Sequence, residues 1–356
     1  MKSVTEKIKF FRQKGLKSRV RLKEEQLESP TSFWIKRERL FHEIGKELTI
    51  ILRTKGCSWA TSESGGCSMC GYIRDACIEG IHDTQIIKQF DYVLSNKIGE
   101  ISEDPNNYIL KIFNSGSFFD DDEISTNVRR NLYEKIANIK KVKEVVLESR
   151  SEYITDEKLL EIREFLDKKY IEVAIGLETV DDYIRNNYIN KNAFIDDFKD
   201  VLRRCKQHGI GVKAYLLFKP PFLNEQAAVD DCSHSLKELI NLKINSISIN
   251  PMNIQKNTLV EYLWFQGKYK TPWYYSLFKC LKKSINQYDL NSIRILCDPS
   301  GAGTKRGIHN CLKRECEQSA RKVLNNFVLN QNLDELEENL YECECKKKYQ
   351  LQKNYF

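Results

Sequence analysis

The chain has 356 residues, 41% of them hydrophobic, with 57 Lys and Arg against 50 Asp and Glu. That suits one large α/β domain with appendages, or two domains, and excludes a transmembrane helix, because no run of about eighteen apolar residues occurs. The N-terminus lacks the apolar region of a signal peptide, so a cytoplasmic protein is expected, with no membrane partner, and there the twelve cysteines suit metals or catalysis better than disulfides.

The charge is uneven. Residues 1–46 carry 13 Lys/Arg and 6 Asp/Glu, and the rest of the chain carries 44 of each, so the whole excess of +7 sits in the N-terminal segment. Nucleic acid is a natural partner for it, since lysine and arginine displace counterions from phosphates. A solvated lysine-rich extension is the plain alternative. The segment reads as two helical pieces broken at Glu28-Ser-Pro30. Phe10, Phe11, Phe33, Trp34 and Phe41 are interleaved with the basic residues. Such aromatics can stack on bases, but packing of a helix on a barrel is the preferred reading.

Glu47-Leu-Thr-Ile-Ile-Leu52 is a short apolar run and reads as a buried strand. The stretch Cys57 to Tyr72 then places three cysteines, Cys57, Cys67 and Cys70, nine residues apart and then two. Three thiolates can hold three irons of a cubane cluster that ordinarily takes four, which leaves one iron open. Gly65, Gly66 and Gly71 let the loop wrap a compact core. A structural zinc on the same thiolates is the alternative, with Cys77 or His82 as a fourth ligand.

Downstream the chain alternates. Helical stretches at 81–96, 122–139, 155–168, 193–208, 226–242 and 273–286 separate strands at 107–113, 143–147, 170–175, 212–218 and 246–250, and 292–296 reads as a last strand. Thr155 is a candidate N-cap. Six strand–helix units with short connections imply parallel strands with helices outside: an α/β fold, a partial (β/α)6 barrel of the TIM type, open on one side. Function in such a fold lies at the C-terminal ends of the strands. Those ends carry Asn114-to-Asp120, Glu148-Ser149-Arg150, Gly176-Leu-Glu178-Thr179, Lys219-to-Glu225 and Asn250-to-Asn253. No glycine-rich turn of the dinucleotide type and no Walker loop is found.

Near the C-terminus, Cys311-x4-Cys316 and Cys343-x-Cys345 form two close pairs, as closed zinc sites do. A helical stretch from 318 to 340 would bring them together. Four thiolates on zinc are expected, with His309 as the reserve ligand. A second iron–sulfur cluster, or free cysteines, are the alternatives. Cys205, Cys232 and Cys280 lie within helices and read as core.

The cysteine loop resembles that of the radical S-adenosylmethionine superfamily, in the long-loop form of the Elongator catalytic subunit. Together with Gly176-to-Asp182, Lys213-to-Asp231, Ser248-to-Leu263 and Arg306-to-Cys311, it is similar to the radical subunit family of archaeosine synthase over roughly residues 45–345. One departure is Ile308, where that family's motif leads one to expect proline. The resemblance implies a basic extension (1–46), a radical S-adenosylmethionine partial barrel (47–296) and a cysteine-rich metal element (297–356).

It also implies a 4Fe–4S cluster on Cys57, Cys67 and Cys70, and S-adenosylmethionine held by Ser115, Gly116, Ser117, Glu148, Arg150 and Glu178, with Glu148 on the ribose. The implied reaction uses a 5′-deoxyadenosyl radical to break the lysine carbon–nitrogen bond of a lysine-modified 7-deazaguanine in tRNA, leaving archaeosine. The implied partners are tRNA, the subunit that transfers the lysine, and an electron-donor protein. Another Elongator-like tRNA modifier, or a non-catalytic zinc-stabilised RNA-binding adaptor, are the alternatives.

Overall fold

A computed structural model describes residues 3–19, 22–336 and 341–355. One eight-stranded sheet organises it, in the order β1 to β8. The strands are β1 (Ser32–Arg39), β2 (Ile44–Leu52), β3 (Tyr108–Asn114), β4 (Val142–Glu148), β5 (Tyr170–Glu178), β6 (Gly211–Phe218), β7 (Ser246–Pro251) and β8 (Arg294–Leu296). From β2 to β8 each neighbouring pair is parallel. This is the expected partial barrel, with a short last strand and one antiparallel strand added.

The helices are α1 (Val4–Lys17), the single turns α2 (Glu24–Leu27) and α3 (Ser58–Thr61), then α4 (Asp83–Glu103), α5 (Thr126–Ala137), α6 (Asp156–Leu166), α7 (Ile195–Gln207), α8 (Glu225–Asn241), α9 (Leu259–Phe265), α10 (Tyr274–Ser284), α11 (Arg314–Asn330) and α12 (Cys345–Gln352). The crossover helices α4 to α8 and α10 bury apolar stripes against the outer face of the sheet, in one large core that includes Leu110, Ile112, Leu132, Val173 and Leu236. Cys205, Cys232 and Cys280 are buried there as expected, and so is Ile308. Thr155 occupies the N-cap position of α6, although its side chain makes no capping bond.

The N-terminal segment is half as expected. α1 forms, with a capping box between Ser3 and Glu6. The second helical piece is instead β1, paired antiparallel with β2 from Ser32↔Ile51 to Arg39↔Ile44. Its period is two: Phe33 and Ile35 pack on the core, while Glu38, on the lumen side, binds Lys111 of β3 at 2.5 Å. A charged side chain in the lumen is what disguised the strand. The aromatics mostly pack, as preferred: Phe11 on Tyr262, Phe33 on Tyr92 and Phe41 on Tyr170. Phe10 is half exposed.

Alternate residues of the strands face the lumen. The lower lumen combines a small apolar cluster, Leu40, Ile109, Val146 and Ala174, with buried ion pairs. Lys111 is paired with both Glu38 and Glu47. Arg294 on β8 binds Glu172 on β5 and Glu144 on β4, each at 2.6 Å. Lys213 lies 3.2 Å from Glu172. The open seam between β1 and β8 is bridged by side chains. Arg294 donates to the Arg39 carbonyl oxygen at 3.2 Å, and Lys36 of β1 pairs with Asp298. The outer edge of β8 is met by Gln331, whose amide accepts from Ile295 N–H and donates to the Ile295 carbonyl, both at 2.8 Å. Gln331 ends α11 in a left-handed conformation, φ 52°. The helix expected over 318–340 thus stops at Asn330, and residues 337–340 lie outside the described residues.

Candidate active site and metal centre

The cysteine loop leaves the C-terminal end of β2. Cys57 opens the single turn α3, and its N–H donates to the Ser115 carbonyl at 3.1 Å. That bond ties the loop to the glycine–serine turn after β3. Gly65 and Gly66 both have positive φ, and a Cβ on Gly66 would lie 2.7 Å from Ala60 Cα, so the turn requires glycine.

Two outside elements clamp the loop. Arg12 of α1, buried, donates to the carbonyls of Gly65 at 2.8 Å and Cys67 at 3.3 Å. The segment after β5 holds it from the other side. Trp59 Nε1 donates to the Asn190 carbonyl, and Asn190 Nδ2 donates to the Gly66 carbonyl, both at 2.8 Å. Ser68 N–H donates to the Ile189 carbonyl at 2.7 Å.

Burial pushes the Cys67 thiol up to about 12, against the pull of Lys191, and raises Cys57 as well. Each feels the charge of Cys70, so the three face one another. Among the described residues they do not belong to any set whose ligand atoms all lie within 4.8 Å, and neither Cys77 nor His82 completes one.

The turn after β3 is shaped by Glu123, which sequence reasoning missed. Its carboxylate accepts from Thr54 Oγ1, Asn114 Nδ2 and Ser117 N–H at 2.8, 2.9 and 2.8 Å. Burial raises it to about 7. A Cβ on Gly116 would lie 1.7 Å from Glu123 Oε1, so only glycine lets the turn close over the carboxylate. Ser117 Oγ accepts from Arg150 N–H at 3.1 Å, and Phe118 N–H donates to the Glu148 carbonyl at 2.9 Å. Ser115, Gly116, Ser117, Glu148 and Arg150 therefore share one continuous wall.

Glu148 and Glu178 meet above the lumen with Lys191, the second missed residue. Lys191 Nζ is 2.6 Å from Glu178. Burial works against its charge, but Glu178 and then Cys67 outweigh burial and hold the ammonium above its ordinary value. Glu148 is pushed up to about 7 by burial, with Lys191 opposing. Arg150 lies over the Trp59 ring at 5.8 Å and donates to the Lys191 and Asn192 carbonyls at 3.2 and 3.1 Å. Glu178 has φ 68°, a conformation unusual for a residue with a side chain. Lys191 sits in the connection Ile189-Asn-Lys-Asn192, which carries no motif. Glu123 hides in an acidic run, Asp120-Asp-Asp-Glu123, that reads as a helix start.

The second centre is far along the chain. Cys311, Cys316, Cys343 and Cys345 bring their sulfurs within 4.8 Å of one another. Cys311 and Cys343 are 3.7 Å apart, and Cys316 and Cys345 are 3.8 Å apart. Glu317 shapes the turn by accepting from the N–H groups of Asn310, Cys311 and Leu312. The Tyr275 hydroxyl reaches Cys345 Sγ at 3.3 Å. His309 does not join the four: its Nδ1 lies 2.9 Å from the Gly307 carbonyl oxygen and 3.2 Å from Thr271 Oγ1. Among the described residues no helix is long and apolar enough to cross a membrane.

No family model matches the chain. It is 36% identical to an uncharacterised protein of Methanocaldococcus jannaschii over 95% of this chain and 90% of that one. It is 34% identical to archaeosine synthase subunit beta of Methanosarcina acetivorans, over 93% of this chain and 92% of that one. The same subunit of Thermococcus kodakarensis is also 34% identical, over 89% and 95% of the two chains. Among solved structures, Methanocaldococcus infernus Elp3 with an N-terminal deletion aligns with a TM-score of 0.47 at 12% identity, over 69% of this chain and 59% of that one. The radical S-adenosylmethionine methyltransferase TsrM of Kitasatospora setae, with cobalamin and a [4Fe-4S] cluster bound, aligns with a TM-score of 0.41 at 11% identity, over 63% and 38%.

Proposed function

The chain belongs to the family of archaeosine synthase subunit beta, and from that premise we propose that it is a radical S-adenosylmethionine enzyme of tRNA modification. The reaction we assign to it is cleavage of the carbon–nitrogen bond of a lysine joined to a 7-deazaguanine base. The lysine carbon next to that nitrogen would give one hydrogen atom to the 5′-deoxyadenosyl radical and lose one further electron and a proton, and water would hydrolyse the resulting C=N bond, so that the nitrogen stays on the base as the amidine of archaeosine and the lysine skeleton leaves as a semialdehyde. The observation that carries this reading is the convergence of three cysteines, a glycine–serine turn and buried acidic groups at one end of a partial barrel.

A 4Fe–4S cluster and S-adenosylmethionine, when bound, supply one-electron reduction and a carbon radical. Cys57, Cys67 and Cys70 would hold the cluster. Burial raises the Cys57 and Cys67 thiols, so metal would have to displace their protons, and Lys191 and Arg150 would offset the charge that results. S-adenosylmethionine would be held by the Ser115–Ser117 turn at its methionyl end and by Glu148 at its ribose, with Glu178 and Lys191 completing the polar wall.

Cys311, Cys316, Cys343 and Cys345 hold a structural metal in this reading. A tetrahedral ion with metal–sulfur bonds of about 2.3 Å places its thiolates about 3.8 Å apart. The two close contacts match that edge, which favours one zinc over a second cluster. The subunit name of the relatives supports a partner that attaches the lysine, and an electron-donor protein is required by the chemistry. The cytoplasm is the compartment that suits tRNA and open thiols.

The test is anaerobic. The reduced protein is given S-adenosylmethionine, and 5′-deoxyadenosine is measured with and without tRNA bearing the lysine adduct. Deoxyadenosine that rises with the tRNA, together with archaeosine, is expected. Deoxyadenosine that ignores the tRNA would overturn the substrate. None at all, from a protein with zinc and no iron, would make the chain an RNA-binding adaptor.

A further inference from the structure

A second cavity lies apart from the cysteine loop, between the four-cysteine knuckle, α9 and α10. Its volume is about 360 Å³, within the range of roughly 300–1,000 Å³ that small-molecule sites occupy. Its walls carry Trp264, Trp273, Lys270, Lys305, His309 and Lys348. None of the steps assigned above uses it.

Its chemistry is cationic and aromatic. The Lys270 ammonium is disfavoured by burial and then by the nearby charge of Lys348, so two cations share one small space. An anion between them would relieve that repulsion. Trp264 has Arg306 over its ring at 5.1 Å. The Gly307 carbonyl can only accept, so His309 Nδ1 donates to it. Lys348 stands three residues beyond Cys345 on α12, so the metal knuckle sets its position.

The cavity is also placed along a path. The first residue of α9, Leu259, donates its N–H to the Ser68 carbonyl inside the cysteine loop at 3.1 Å. Trp264 lies five residues further, about 8 Å along the helix axis. The basic helix α1 packs on the same α9, with Phe11 against Tyr262 at 5.3 Å and Lys7 over that ring at 5.2 Å. Cations beside aromatic faces are how single-stranded nucleic acid is held.

We propose that this cavity binds a nucleotide of the RNA substrate other than the one modified, with its phosphate on Lys270, Lys305 and Lys348 and its base against Trp264. The proposal rests on the tRNA reading above. The four-cysteine metal then has a role beyond stability, because it builds a second grip on the RNA.

The test compares the metal-loaded wild type with the double variant Lys305→Glu/Lys348→Glu, in tRNA binding at several salt concentrations. Iron and zinc content and thermal melting serve as controls of fold. The expected result is at least about tenfold weaker binding, with the slope of log K against log salt smaller by about two. Lys305→Arg/Lys348→Arg should bind as wild type does. Wild-type binding and slope in the charge-reversed variant would overturn the cavity and leave the tRNA reading standing. If the wild type itself bound no tRNA, the tRNA reading would fall first. AMP or inorganic phosphate binding to the wild type without competing with tRNA would make this a small-molecule site and also overturn the proposal.

Discussion

Arg294 on β8 reaches across the lumen to Glu172 on β5, Nη2 to Oε2 at 2.6 Å, past two intervening strands. The same guanidinium holds Glu144 on β4 and the carbonyl of Arg39 on β1. With its Nε donating to Ser246 Oγ on β7 at 3.1 Å, one side chain therefore joins five strands, including both edges of the sheet. A buried pair of this kind is weak evidence of net stability, yet removing one partner leaves the other charge stranded, at a cost of about 3–5 kcal/mol.

Glu172→Gln should lower the unfolding free energy by about that amount near neutral pH. Burial opposes ionisation of Glu172, but Arg294 and Lys213 outweigh it and hold the group at about 2, below its ordinary 4.5. Its contribution is thus complete above about pH 4.5 and is lost as pH falls towards 2. Urea titrations across that window should show a steep acid limb in the wild type and a flatter one in the variant. Parallel limbs would refute the assignment.

Gly116→Ala places a methyl group where Glu123 Oε1 stands, at 1.7 Å. The turn must open, and S-adenosylmethionine affinity should fall by roughly tenfold or more, about 1.4 kcal/mol. Equilibrium dialysis measures it. Glu123→Gln keeps the shape and should weaken binding less. Equal affinity in Gly116→Ala and wild type would remove the turn from the cofactor site.

Cys67→Ala should abolish iron loading and S-adenosylmethionine cleavage while the far-UV circular dichroism stays unchanged. Iron content equal to wild type would contradict the cluster assignment.

Cys343→Ala should act differently. Cys343 is held below its ordinary value chiefly by the Cys345 backbone N–H. Its loss should remove zinc but not iron and lower the melting temperature by about 10 °C, since structural zinc contributes folding free energy directly. Retained zinc with an unshifted melt would leave these four as ordinary thiols.

The strand–helix alternation was legible because the parallel strands are short apolar runs interrupted by single charges, and their helices carry stripes. β1 was not, because Glu38 answers to Lys111 on β3 and Lys36 to Asp298 beyond the end of β8, and both look like surface charge in one dimension. The cysteines announced themselves by spacing. Glu123 and Lys191 did not, since each matters through what folding brings to it: three donors for Glu123, a carboxylate and a thiol for Lys191. His309 lay close to Cys311 in sequence, but the Gly307 carbonyl claims its ring.

Gln331 gives β8 both the donor and the acceptor that a ninth strand would have given it. A sheet left open invites another chain to add itself there. Here one amide, held by the left-handed end of α11, occupies the middle rung of a three-residue strand. The edge at β8 is thereby closed to strand addition by a side chain of the same chain.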